Sequence, residues 1–230
     1  MLLAAIALGV AACGENETSA RADRPKSARI ERVRDLAARV PPAATVALRA
    51  NPGGRVLARI GARTAFGSPQ TLAVAFRKGA WLAVRSPALW NKQLGWARAD
   101  AVRLLKRNVR IEVDLSKRTL AVIERGVVHR REVVAIGSRE TPTPPGEFYV
   151  TDKLPGADFG ASYGCCILAL SGRQPNLPEG WSGGDRLAIH GTPTPDYGEA
   201  VTNGCLHLPR EVLQVLMRDI PLGTPVHVRA

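Results

Sequence analysis

Apolar and polar residues alternate with a period of two over most of this 230-residue chain, in short runs separated by Gly, Pro, Asn and Asp. That period belongs to strands with one buried face, so it predicts a mainly β protein. Residues 45–49, 56–60, 72–77, 81–85 and 95–98 read as short strands divided by turn residues such as Asn51-Pro52-Gly53-Gly54 and Lys78-Gly79, which suggests a small β-barrel. From Val109 the strands lengthen. Residues 110–115 and 119–123 flank Ser116-Lys117-Arg118, and Gly126 precedes 127–136, so a β-meander is expected. The proline-rich stretch 138–146 is irregular; 147–151, 166–170 and 186–189 return to strand; and the Gly- and Pro-bearing stretch 152–161 reads as a flexible rim. Near the end the period becomes helical. Pro209 suits a first helical position, Val212, Leu213, Leu216 and Ile220 share a face, Pro221 with Gly223 ends the helix, and 224–228 closes the sheet.

The N-terminus follows another pattern. Residues 1–12 form an uninterrupted apolar run, too short to span a bilayer, that reads as the core of a signal peptide. It ends at Val10-Ala11-Ala12-Cys13-Gly14, which resembles the bacterial lipobox, although no Lys or Arg precedes the run. That resemblance implies that Cys13 is lipidated and holds an exported protein to the outer face of a bacterial membrane. Residues 14–40 are charged and poor in large apolar groups, which suits a tether. Its second half is expected as a short helix with Ile30, Val33, Ala37 and Val40 on one face, ended by Pro41-Pro42. The expected partition is a signal peptide at 1–12, an anchor and tether at 13–42, a small barrel at 43–106 and a second domain at 107–230.

Charge and cysteines narrow the class. The 32 Lys and Arg against 20 Asp and Glu give a formal charge of +12, which suits nucleic acid, an anionic membrane face or an anionic wall polymer. An exported chain without a recognisable base-reading motif argues against nucleic acid. Four cysteines fit an exported protein that does not depend on disulfides. Cys165 and Cys166 are adjacent, point to opposite faces if both lie in a strand, and are expected as two thiols rather than a bridge. Of the tryptophans, Trp81 and Trp96 are expected in the barrel core and Trp90 on its surface.

The chemistry concentrates between Leu187 and Leu208. His190 follows a short apolar strand and Cys205 sits in a glycine-bearing turn. A thiol is a useful nucleophile only as thiolate, and a neighbouring imidazole can take its proton. The pair His190-Gly191, a loop, and then Thr202-Asn203-Gly204-Cys205-Leu206-His207 resembles the motif of the L,D-transpeptidase (YkuD) catalytic domain: His, a loop, Ser or Thr, His, Gly, Cys, a hydrophobic residue and Arg or Asn. Asn203 and His207 depart from that pattern. Pro142-Thr143-Pro144-Pro145-Gly146-Glu147-Phe148 is similar to the family's TPTPxGxF segment, and Asp185 to Gly191 is similar to its strand into the active site, so the resemblance covers 108–230. Upstream, Trp81 to Arg85 followed by Gly95-Trp96-Ala97 resembles the end of a bacterial SH3-like domain. The fold expected is therefore mainly β, a small SH3-like barrel followed by a YkuD-type β-sandwich or mixed-sheet domain with one C-terminal helix.

The resemblance implies a role for each site residue. Cys205 attacks, His190 is its base, and the Gly191 carbonyl orients the imidazole. Thr202 braces the turn, and backbone N–H groups around Asn203 and Gly204 hold the oxyanion. His207 lies on the Cys205 side of its strand, which allows a supporting role or contact with substrate. The implied substrate is a peptidoglycan stem tetrapeptide. Its terminal D-Ala leaves, a thioester forms on Cys205, and an amine of a neighbouring stem resolves it into a 3-3 cross-link. Carbapenems are implied inhibitors, and neither cofactor nor metal is required: His190, Cys205 and His207 lack the paired close spacings of a structural zinc site. Hydrolysis in place of transfer would make the protein an L,D-carboxypeptidase, and loss of chemistry would leave a peptidoglycan-binding lipoprotein. A monomer is expected, with His129 and His227 on ordinary strand faces.

Overall fold

The computed structural model describes residues 28–230, so the apolar leader, Cys13 and the first half of the tether lie outside the described residues. Two large sheets follow one another along the chain. The first contains β1 (Ile30–Arg32), β2 (Leu36–Arg39), β3 (Val46–Arg49), β4 (Val56–Ile60), β5 (Thr71–Lys78), β6 (Trp81–Val84), β7 (Gly95–Arg98) and β8 (Arg103–Lys106). Its order is β4-β3-β7-β6-β5-β2-β8, with β1 also paired to β5. The second is built from β9 (Val109–Asp114), β10 (Thr119–Glu124), β11 (Val127–Val133), β13 (Gly146–Pro155), β14 (Cys166–Arg173), β15 (Arg186–His190), β17 (Leu206–His207) and β18 (Pro225–Arg229), with β12 (Ile136–Gly137) and β16 (Ala200–Thr202) forming a separate parallel pair. The second sheet runs β11-β10-β9-β18-β13-β14-β15-β17. The β18–β9 and β15–β17 ladders are parallel, and the rest are antiparallel. The protein is mainly β, as the period of two predicts.

One helix, α1 (Arg210–Asp219), buries Val212, Leu213 and Leu216 in the same core as Leu168 and Leu170 of β14. No helix among the described residues is long and apolar enough to cross a membrane.

Three local expectations are corrected. The stretch expected as a helix around Ile30 to Val40 forms β1 and β2 instead: Ala37 pairs with Ala73 of β5 and Leu105 of β8, and Ala37, Ala38 and Val40 are buried while Ile30 is exposed. Pairing on two sides satisfies the backbone of β2 and overrides a weak helical spacing in a short segment. Trp81 and Trp96 are only half-buried, because strand alternation turns Leu82, Val84 and Ala97 into the core and both indoles to the other face. Arg98 covers the Trp81 ring, its guanidinium carbon 5.8 Å from the centroid. Trp90 is exposed. Cys165 and Cys166 form a disulfide. Cys165 lies before β14 begins, so the rule that neighbouring side chains point to opposite faces does not apply to the pair.

The two sheets are joined by buried polar contacts as well as by packing. Tyr149 of β13 is fully buried in the core of the first sheet. Asn91 donates from Nδ2 to the Arg173 carbonyl at 2.6 Å and accepts the Arg173 N–H at 2.9 Å, as a paired strand residue would. Arg107 donates from Nε and Nη2 to the Leu222 carbonyl, and Thr64 donates its hydroxyl to the fully buried Asp152.

Candidate active site

The β15–β17 ladder decides what meets what. Its parallel register pairs Ile189 with Leu206 and His190 with His207, so Cys205 enters opposite the end of β15, one step before the paired residues. The ladder brings together the two halves of the motif that the loop between them separates in the chain.

His190 is 6% exposed and its ring is fixed from three sides. Nδ1 donates to the Gly191 carbonyl at 2.6 Å, which leaves Nε2 as the basic nitrogen. Tyr163 and His207 flank the ring with centroid distances of 4.8 and 4.5 Å. Gly191 in turn lies against Gly164: a Cβ at Gly164 would fall 2.8 Å from the Gly191 Cα, so the backbones meet only because both are glycine. Burial is the main reason the imidazole is pushed down to about 4, with the neighbouring His207 acting in the same direction and the Gly191 carbonyl opposing it.

Cys205 is a free, half-buried cysteine. It packs with Ile167, Ala169 and Ala188 in a small apolar cluster that Leu154 and Tyr163 complete, and its Sγ lies 4.0 Å from the Arg186 carbonyl. That environment pushes the thiol up to about 11, against a hydrogen bond from the Ala188 amide. At neutral pH Cys205 therefore rests as a thiol and His190 as a neutral imidazole.

The turn carrying Cys205 is braced at four consecutive carbonyls. Thr141 donates to the Thr202 carbonyl at 2.9 Å, Gln174 Nε2 to that of Asn203 at 3.2 Å, Thr143 to that of Gly204 at 2.9 Å, and Thr202 to that of Cys205 at 2.6 Å. Gly204 has φ +102°, and a Cβ there would sit 2.0 Å from Gln174 Nε2. The Gly204 amide is taken by the Thr202 hydroxyl at 3.0 Å, whereas the amides of Asn203 and Cys205 have no partner among the described residues. Those two amides are the donors the turn can offer a developing oxyanion. The Asn203 side chain is exposed.

His207 is held by Asp196, with Nδ1 and Oδ2 at 2.8 Å and only 14% and 18% of the two side chains exposed. His129 and His227 lie on strands of the second sheet beside Glu124 and Glu147. No three His, Cys, Asp or Glu side chains among the described residues converge as metal ligands. The rim of the site crosses from one sheet to the other: Phe66 meets Phe159 edge to face at 5.8 Å, Phe159 meets Tyr163 at 6.2 Å, and Arg186 lies over Phe66.

Sequence reasoning missed Thr141, Gln174, Asp196 and Tyr163, and gave Thr143 no role beyond its motif. Thr141 and Thr143 stood inside or beside the Pro142-Thr143-Pro144 stretch, which was a findable signal. A lone Gln174 in a loop carries none.

The model of the L,D-transpeptidase catalytic domain, YkuD, matches residues 108–228. The L,D-transpeptidase YkuD of Bacillus licheniformis is 32% identical over 120 residues, 52% of this chain and 64% of that protein. Its namesake in Bacillus subtilis is 31% identical over 121 residues, 51% of this chain and 64% of that protein. The chain thus spans somewhat less than two thirds of the length of these two relatives. Among solved structures, an L,D-transpeptidase from Mycobacterium smegmatis is similar at 20% identity with a TM-score of 0.43, over 66% of this chain and 78% of that one.

Proposed function

Because the chain belongs to the family of L,D-transpeptidase catalytic domains (YkuD), we propose that it transfers peptidoglycan stem peptides through a thioester on Cys205. The observation that carries the reading is the β15–β17 ladder, which sets the His190 ring, with one nitrogen committed to Gly191, beside a nucleophile turn braced at every carbonyl. A turn held on both sides is what a preorganised oxyanion site needs, since its donors do not have to reorganise as charge develops.

In the first half-reaction His190 Nε2 takes the Cys205 proton as sulfur attacks the carbonyl carbon between the third residue, a diamino acid, and the terminal D-Ala. The oxyanion faces the amides of Cys205 and Asn203. Collapse of the intermediate breaks the C–N bond, the imidazolium returns its proton to the departing amine, and D-Ala leaves. In the second half-reaction an amine of a neighbouring stem attacks the thioester, His190 takes its proton, and the thiol is released with a 3-3 cross-link formed. Proton transfer is concerted with attack because neither partner is charged at rest, given a thiol near 11 and an imidazole near 4. Carbapenems, as activated acyl donors, should acylate the same sulfur.

The same proposal places the protein outside a bacterial membrane, anchored through Cys13, as a monomer whose SH3-like N-terminal sheet orients the wall polymer. The test is incubation of the purified protein with a disaccharide-tetrapeptide, read by mass spectrometry beside Cys205→Ala. A dimer lacking one D-Ala, absent in the variant, supports the transpeptidase. A monomer lacking D-Ala makes it a carboxypeptidase, and no change in either sample leaves a wall-binding lipoprotein.

A further inference from the structure

The charge of +12 is not used by the chemistry at Cys205, and part of it gathers elsewhere. A cavity of about 660 Å³ opens between the two sheets, walled by the β1–β2 turn, the middle of β5, the residue after β6 and the β9, β18 and β13 strands, with neither Cys205 nor His190 in its lining. Those strands lie toward the other end of the second sheet from the β15–β17 ladder.

Seven arginines and three carboxylates line this cavity, an excess of four positive charges with His227 counted neutral. Several of the arginines have evident structural duties. Arg107 holds the Leu222 carbonyl, Arg110 pairs with Glu112, and Arg229 pairs with Asp114. Glu147, which faces Arg85, is also bonded by His227 at 2.8 Å. Arg34, Arg85 and Arg125 have no side-chain partner among the described residues, and Arg85 is half-buried. Burial pushes Arg85 down from its ordinary value and the neighbouring Arg32 acts in the same direction, while Glu147, already bonded to His227, offsets this only in part. Arginine forks match phosphate oxygens two at a time, and with Asp114 counted against Arg229 the remaining excess of three is more than one carboxylate or one phosphate can offset.

We propose that this cleft between the two sheets binds an anion carrying two linked phosphate groups, gripped by Arg85 within and by Arg34 and Arg125 at the mouth. The site is separate from the transferase reaction and stands whether or not that reaction is the one described above. Its ligand is a diphosphate, either free in solution or displayed on a lipid headgroup. Binding there would place a charged ligand across the joint between the two sheets.

Calorimetry of the whole protein with inorganic pyrophosphate, orthophosphate and acetate at one ionic strength tests this. The expected result is one pyrophosphate per chain, bound about tenfold or more tighter than orthophosphate, with Arg85→Gln weakening it by about tenfold and a basic residue outside the cleft, Lys117→Gln, changing nothing. Thermal unfolding of each variant checks its fold; if Arg85→Gln does not fold, the exposed pair Arg34→Gln with Arg125→Gln carries the same expectation. Absence of pyrophosphate binding, equal binding of acetate, or binding unchanged in the cleft variants overturns the proposal. Co-sedimentation with phosphatidylcholine vesicles, with and without a prenyl diphosphate in the bilayer, separates the sources. Binding to the diphosphate-bearing vesicles that needs Arg85, seen together with pyrophosphate binding, assigns a lipid-borne diphosphate. Pyrophosphate binding without it assigns a soluble one, and vesicle binding without pyrophosphate binding again overturns the site.

Discussion

His190 and Cys205 are shifted in opposite directions by the same cause, loss of water around each. A pair of this kind works from its neutral form, so the rate of acylation by a carbapenem, followed by stopped flow, should be level across neutral pH and fall only as His190 gains a proton near pH 4. A resting thiolate–imidazolium pair would instead also lose activity on the alkaline side, as the imidazolium gives up its proton. His207 lowers the His190 value, so His207→Gln should move the acid limb to higher pH without abolishing acylation. The buried His190 also affects folding. Its folded-state value lies below the unfolded 6.5, so the unfolded chain takes up a proton first, and stability is lost as pH falls from about 6.5 toward 4. The loss is about 3 kcal/mol at most, and the urea midpoint of His190→Gln should be correspondingly less sensitive to acid over that window. Both candidate residues could be found in the sequence because their chemistry is rare and their flanks distinctive. Their protonation states could not, since these depend on burial against Tyr163, Ile167 and Ala169, from β14 and the turn before it, and on His207 from β17.

Among the elements, the nucleophile turn is held by residues outside it. Gln174, 4% exposed, donates to the carbonyls of Thr141, Pro142 and Asn203 and fills the space beside Gly204. Gln174→Ala should therefore slow acylation by about tenfold or more and lower stability by about 1–3 kcal/mol, read from acylation kinetics and urea unfolding. Gly204→Ala meets two obstacles, the contact with Gln174 and a φ of +102°. Adding Gln174→Ala removes the first and not the second, so the double variant should recover stability only in part. Strand positions were legible because a period of two is local. The brief β12, β16 and β17 were not: two or three residues carry no period, and they are strands only because β15 and the turn present edges to pair with.

Across the whole molecule, the two sheets are coupled through buried polar groups that leave little tolerance for loss. Thr64→Val would take the one hydroxyl that bonds Asp152, a fully buried carboxylate, and should cost about 3 kcal/mol, with both sheets unfolding in a single transition in urea. Two separate transitions would show that the joint is not cooperative. By itself the sequence determined the mainly β class, the C-terminal helix, the candidate Cys–His pair and the family, since periodicity, end signals and motif spacing are written in neighbouring residues. Only the tertiary structure decided that β1 and β2 join the first sheet, that Gln174, Thr141 and Thr143 brace the Cys205 turn, that Asp196 holds His207, and that arginines from both sheets line one cleft. These contacts join residues tens of positions apart, such as Thr141 with Thr202 and Asn91 with Arg173. Their pairing is fixed by ladder register and packing, which no local pattern encodes.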